Sequence, residues 1–356
     1  MAAGVWAARP DFRPWCAKLA KRVARWQPDP SLGVEQHAIV QEVERAAAAA
    51  QRWLVHPCVN VLTRDIAEGR YERDVRFVAW VAAHATGSVG SLTLDRPSWR
   101  WSPCGEAIRL PPGDYDLAQF VVRGGWGGDA RTELRAKFAI DVYCRSTGVP
   151  LPRAWPEPPA RTDGVPPLAA MAMREIAHAL DAFVQRLPDC AAWTSAVTSI
   201  IVPLQHEGIE RSSGSQPSIP GLIHLAGLHG PVAVLEALVH ESAHHHVTMV
   251  EAAGALVNPG HRDLHPSPLR CEPRPLGRVL LAVHALWHIV IFYDDGIASG
   301  LLGPEWSDRR SRLERLLMAG FATLQRAWPH FTPAGRAFVE PWLNRESLNA
   351  RARRHH

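Results

Sequence analysis

His240 and His244 stand four residues apart, with Glu241 directly after the first. On an α-helix that spacing places two imidazoles one above the other on one face. So placed, they can take adjacent positions around a single metal ion. A glutamate following the first histidine is the general base of zinc peptidases built on this His-Glu-x-x-His pattern. The stretch 231–251 supplies the helix. Pro231 suits the first helical position, and Leu235, Leu238 and Val239 before the motif, with Val247, Met249 and Val250 after it, imply burial. Buried histidines need partners, and a shared metal is the simplest one. Two chemistries stand open: hydrolysis on zinc or oxidation on iron. His245 and His246 extend the run at helical angles that point away from the pair, which reads them as supporting or surface residues.

A two-histidine site needs at least one further protein ligand. The metzincin extension demands glycine at 247 and histidine at 250, and both positions are valine, so that class is excluded. Glutamate ligands are poorly supplied: Glu251 shares the motif helix, and Glu272 sits in a loop between Cys271 and Pro273. The next apolar helix, 277–292, offers His284 and His288, again four apart. A histidine in such surroundings is expensive to bury unpaired. Metal ligation or a bond to a backbone carbonyl would each satisfy it. His261 and His265 read as surface groups of the intervening loop, able to shield or close the site. That loop also holds Arg270 and Arg274. Their guanidinium forks can grip a carboxylate bidentately, or form ion pairs with Glu272 or Asp263.

The elements that must position these residues are mostly helical, with a small β element (α+β). Residues 11–86 read as largely helical, with 35–54 the clearest helix. Short strands joined by proline and glycine turns follow from 88 to 122, then a glycine loop at 124–128 and a helix at 132–145. Residues 148–167 are proline-rich and read as a linker between an N-terminal region, 1–147, and a metal-binding domain, 168–345. In the latter, a helix at 168–186 precedes strands at 198–204 and 220–226. The order strand, strand, His-Glu helix resembles metallopeptidase architecture, in which a strand can hold an extended peptide, so the strand at 220–226 is expected to line a substrate groove.

Composition narrows the field. Of 356 residues, 47% are hydrophobic and 21% charged, as expected of a soluble globular protein. A net charge of +4 without an aromatic-interleaved basic stripe gives no support to nucleic-acid binding. No apolar run reaches the roughly 18 residues of a membrane span, and residues 1–6 lack a signal-peptide pattern. Six scattered cysteines with no C-x-x-C pair argue against a structural zinc site and a disulfide scaffold, and make a reducing cytoplasm the natural compartment.

Three blocks together carry a resemblance: Glu236-Ala-Leu-Val-His-Glu-Ser-Ala-His, Ser267-Pro-Leu-Arg-Cys-Glu-Pro-Arg-Pro and Leu281-Ala-Val-His-Ala-Leu. The chain resembles the HExxH-motif peptide-modification proteins of ribosomal peptide natural-product clusters. Part of that group is described as 2-oxoglutarate-dependent HExxH-type peptide β-hydroxylases. The match covers roughly residues 205–295 and only the general layout before them. It implies Fe(II) held by His240, His244 and His284, 2-oxoglutarate as co-substrate, and oxidation of a side chain in a precursor peptide. In that reading Glu241 orients a ligand or bound water, and Arg270 or Arg274 pairs the co-substrate's distal carboxylate. One departure is His245-His246-Val247, where many members carry a lysine-leucine pattern. Two alternatives stay open: a zinc metallopeptidase that trims a precursor peptide with Glu241 as base, and a non-catalytic domain that binds a peptide or partner.

Overall fold

The computed structural model describes residues 3–7, 10–70, 74, 77–78, 81, 85, 91–94, 98–101, 107–110, 113–116, 167–204, 213–226 and 230–343. The expected strand at 119–122, glycine loop at 124–128, helix at 132–145 and nearly all of the proline-rich 148–167 segment lie outside them. The described fold is mostly helical with small strand pairs.

Its centre is two long helices packed side by side: the motif helix, Pro231–Glu251, and a core helix, Leu276–Ala298. The motif helix begins where the sequence sets it. Gly230 sits at φ 84, a left-handed conformation that only glycine adopts freely, and Pro231 occupies the first turn. The core helix runs past the expected 277–292 at both ends. By length and composition it could cross a bilayer, but 78% of its most apolar window is buried inside the fold. Ser307–Arg326 covers its other side, while Pro167–Arg186 and Pro188–Val197 pack on the motif helix. An ion pair joins three of these elements: Arg309 donates to Glu236, which also accepts from the Tyr293 hydroxyl.

Beside the motif helix lies a three-stranded sheet of order β5-β7-β6, formed by β5 (Ile200–Leu204), β7 (Leu222–Ala226) and β6 (Gly214–Ser215). β5 runs parallel to β7 and β6 antiparallel to it. Ile223 already pairs with Ile201 on one side and Ser215 on the other. The expectation that this strand takes up an extended peptide is therefore corrected: β7 is the central strand, and its ladder groups at that position are spent.

The N-terminal part contributes helices Arg13–Val23, Gln36–Ala48 and Pro57–Ala67. The helix expected at 35–54 stops at Ala48, because Ala50 turns into the left-handed region (φ 48) and a short 3-10 turn, Arg52–Val55, follows. Two antiparallel pairs are nested beyond them: β1 (Ser91–Leu94) with β4 (Gly113–Asp116), and β2 (Ser98–Trp101) with β3 (Ala107–Leu110). Two hydrophobic cores result. One surrounds the motif and core helices. The other joins the N-terminal helices to Val197, Ile219, Leu222 and Met249 of the second half.

Candidate functional site

A pocket of about 260 Å³ opens along the motif helix. That helix contributes His240, His244, His245 and Thr248 to its wall. The loop between the two long helices contributes Ser267, Leu269, Arg270 and Arg274, and the first turn of the core helix adds Arg278. Ser215 of β6 closes one side. Four of the six residues expected from sequence thus meet in one place: His240, His244, Arg270 and Arg274.

The histidine pair has the geometry its spacing dictates, with ring centroids 4.6 Å apart and an edge-to-face angle of 82°. Burial pushes the His244 pKa down to about 3, with His240, His245 and Arg278 adding in the same direction. His244 is therefore neutral at pH 7. Its Nδ1 is buried and has no hydrogen-bond partner among the described residues. An orphaned ring nitrogen is costly to bury, of the order of 1–3 kcal/mol, and is satisfied by a ligand or an ion. His245, expected to point away from the pair, also borders the pocket. It is buried, its Nε2 lies 3.2 Å from the Leu222 carbonyl, and burial lowers its pKa to about 4.

The arginines are the second orphaned set. Among the described residues no hydrogen bond or ion pair holds Arg270, Arg274 or Arg278, so the expected pairing with Glu272 or Asp263 is not formed. Arg270 and Arg278 reach out from exposed positions, whereas Arg274 is half-buried and its Nε is wholly buried without a partner. Sequence reasoning missed Arg278. The signal was present, since it lies four residues after Arg274, but that distance spans a strand end and a helix start and has no fixed direction until both are placed.

Two expected residues stand elsewhere. Glu241 is buried and is not itself in the pocket wall, and its carboxylate accepts from Ser213 Oγ at 2.8 Å and from Ser215 Oγ, a residue of that wall, at 2.6 Å. His284 is buried one layer deeper. Its Nδ1 lies 3.0 Å from the Ala243 carbonyl, and its ring packs against Trp342 at 5.0 Å and His288 at 4.3 Å between centroids. Neither His284 nor His288 borders the pocket. Among the described residues no group of three histidine, cysteine or acidic side chains is placed to hold a metal.

His240 and His244 could offer two donors to a metal ion, and the Nδ1 of His244 is buried without a partner among the described residues. His284 has one feature of a ligand: a ring nitrogen bonded to a backbone carbonyl fixes its tautomer, as metal-bound histidines are fixed. It does not share the pocket with the pair. No protein-family model matches the chain, and no curated protein matches it.

Proposed function

We propose that the pocket binds a small dianionic ligand beside a metal held by His240 and His244, and that the protein is an Fe(II)/2-oxoglutarate-dependent oxygenase hydroxylating a side chain of a ribosomally made peptide. One observation carries the reading. Three arginines that no described hydrogen bond or ion pair holds converge on the same pocket as the His240–His244 pair, of which His244 is held neutral by burial. Such a wall attracts an anion, and paired guanidinium forks select a carboxylate or phosphate over a halide. The pocket volume of about 260 Å³ suits a small molecule with part of a peptide side chain above it.

In this reading Arg274, the most buried of the three, grips the far carboxylate, and Arg270 and Arg278 screen it from water. The rings of His240 and His244 would offer lone pairs to iron, which when bound supplies the one-electron chemistry needed to activate O₂. His284 is the expected third donor. The zinc peptidase reading needs Glu241 as a base beside bound water; in this structure each of its oxygens accepts one serine bond and keeps a second lone pair.

The test is direct. Protein loaded with Fe(II) under anaerobic conditions, given 2-oxoglutarate, O₂ and the precursor peptide encoded nearby, is expected to consume all three and yield a peptide heavier by about 16 Da, the mass of one oxygen atom. Zinc in place of iron is expected to abolish the product, because zinc has no accessible redox change. Peptide cleavage under zinc, indifferent to O₂ and 2-oxoglutarate, would sink the oxygenase.

A further inference from the structure

The loop that brings the arginines to the pocket carries a second histidine group, which the pocket does not use. His261 Nε2 lies 2.7 Å from His265 Nε2. The His330 ring stacks on His261 with 3.9 Å between centroids and a 21° tilt, and stands 6.2 Å from His265. Sequence reading took His261 and His265 for surface groups, yet the His261 side chain is only 7% exposed.

Two facing ring nitrogens share one proton: one donates and the other accepts. The contact survives while at least one of the two rings is neutral. A further proton removes the acceptor and sets two cations 2.7 Å apart. The surrounding charges do not relieve this. Asp263 Oδ2 is 4.0 Å from His261 Nδ1 but is 79% exposed, so water screens it. Arg262 turns back onto the Pro259 and His261 carbonyls, Arg336 reaches the Pro329 carbonyl beside His330, and Arg274 lies directly across the strand pair from His265. Burial, then the two neighbouring rings, hold His265 below its usual pKa, with Asp263 opposing.

The trio also joins the right segments. β8 (Leu264–His265) pairs with β9 (Arg274–Pro275), so His265 sits directly opposite a pocket arginine. At its other end the loop is fastened to the turn after Ser307–Arg326: the Asn258 N–H donates to the His330 carbonyl at 2.9 Å, and Val257 bridges to Phe331.

We propose that His261, His265 and His330 form a proton-sensitive latch that holds the arginine-bearing loop over the pocket at neutral pH and frees it in mild acid. The sign follows from linkage. A histidine depressed in the closed state takes up its proton more readily when the loop is open. Closure is therefore complete above the ordinary histidine pKa of about 6.5 and is lost as pH falls through it. Acid then withdraws Arg270 and Arg274 from the pocket. The latch itself does not depend on what the pocket binds.

Hydrogen exchange of the full chain, without metal or ligand, tests it. Amide exchange in 255–275 is followed from about pH 7.5 to about pH 5.5, corrected for intrinsic rates, with the core helix as reference. Loop opening is expected to rise about tenfold, the effect of one pH unit of depressed pKa, at amides that exchange far faster than the core helix, whose own change reports the loss of global stability. His265→Gln, which keeps a hydrogen-bonding amide and cannot charge, is expected to flatten the response. His330→Phe, which keeps the stack, is expected to reduce it, and serves if the first variant misfolds. Absence of a pH response in the wild type, or an undiminished one in a folded variant, overturns the latch.

Discussion

The motif helix carries histidines on two sides, and the two sides obey opposite rules. On the inner side, His246 stacks on Trp193 at 4.0 Å between centroids and its Nε2 lies 3.2 Å from the Trp193 carbonyl, while His288 stacks on the same indole at 4.3 Å. Every feature there closes on another protein group. On the pocket side, two steps back along the chain, His244 keeps a buried nitrogen without a partner, and the nearby Arg274 keeps a buried N–H in the same condition. Burial alone does not distinguish the sides, since both contain deeply lowered histidine pKa values. Satisfaction does. Groups that folding has buried and left unpaired are a standing cost, retained where something outside the chain meets it.

The comparison breaks most sharply at Trp193. Its indole is 2% exposed and supports both inner histidines. Trp193→Ala is expected to lower unfolding free energy by about 3–5 kcal/mol, read by denaturant titration, with 2-oxoglutarate affinity of the folded fraction unchanged. Loss of affinity alongside stability would mean that the two sides act as one unit.

Arg274→Ala should do the reverse. Removing a charged partner of a bound dianion weakens binding by about 2–5 kcal/mol, measured by calorimetry with iron-loaded, oxygen-free protein. Stability should hold or rise, because the deleted side chain leaves no described partner behind and takes a buried unpaired N–H with it. A drop in melting temperature without a change in affinity would make Arg274 a structural residue.

How far the sequence reached follows the same division. The i,i+4 pair was legible because a helix fixes the angle between its own residues. Arg270 and Arg274 were legible because their loop is tethered at both ends to the helices that wall the pocket. Glu241 was not, because its partners Ser213 and Ser215 come from a two-residue strand whose register with β7 no local pattern encodes. The position of His284 relative to the pair was not legible for a related reason: helical periodicity gives its angle about its own axis but not the axial offset between two packed helices, and in the structure its Nδ1 meets the Ala243 carbonyl and it lies outside the pocket lining. His245 and His246 were read as supporting or surface groups because the inner flank was not seen to be covered by Pro188–Val197 and the sheet. The mostly helical class with a small β element was legible from periodicity alone. The central place of β7 was not, because pairing partners distant in sequence decide it.

The gentlest probe of the buried interior is acid, and His224 on β7 is its best reporter. The ring is 1% exposed, and burial drives its pKa down to about 2. In the unfolded chain the same group titrates near 6.5. Between those values only the unfolded state binds the proton, so the group leaves stability untouched above about pH 6.5 and subtracts from it as pH falls below. At about pH 5 the loss reaches roughly 2 kcal/mol for one such residue, at about 1.4 kcal/mol per pH unit. His224→Gln cannot take up the proton. Its unfolding free energy is expected to lie below the wild type at neutral pH, through imperfect packing, yet to fall less steeply by about one proton between pH 6 and pH 4. Equal slopes in the two proteins would show that His224 charges within the folded state and that the interior is wetter than its packing implies. A shallower slope would assign the acid sensitivity of the fold to its core histidines and leave the loop latch as a separate, local event at higher pH.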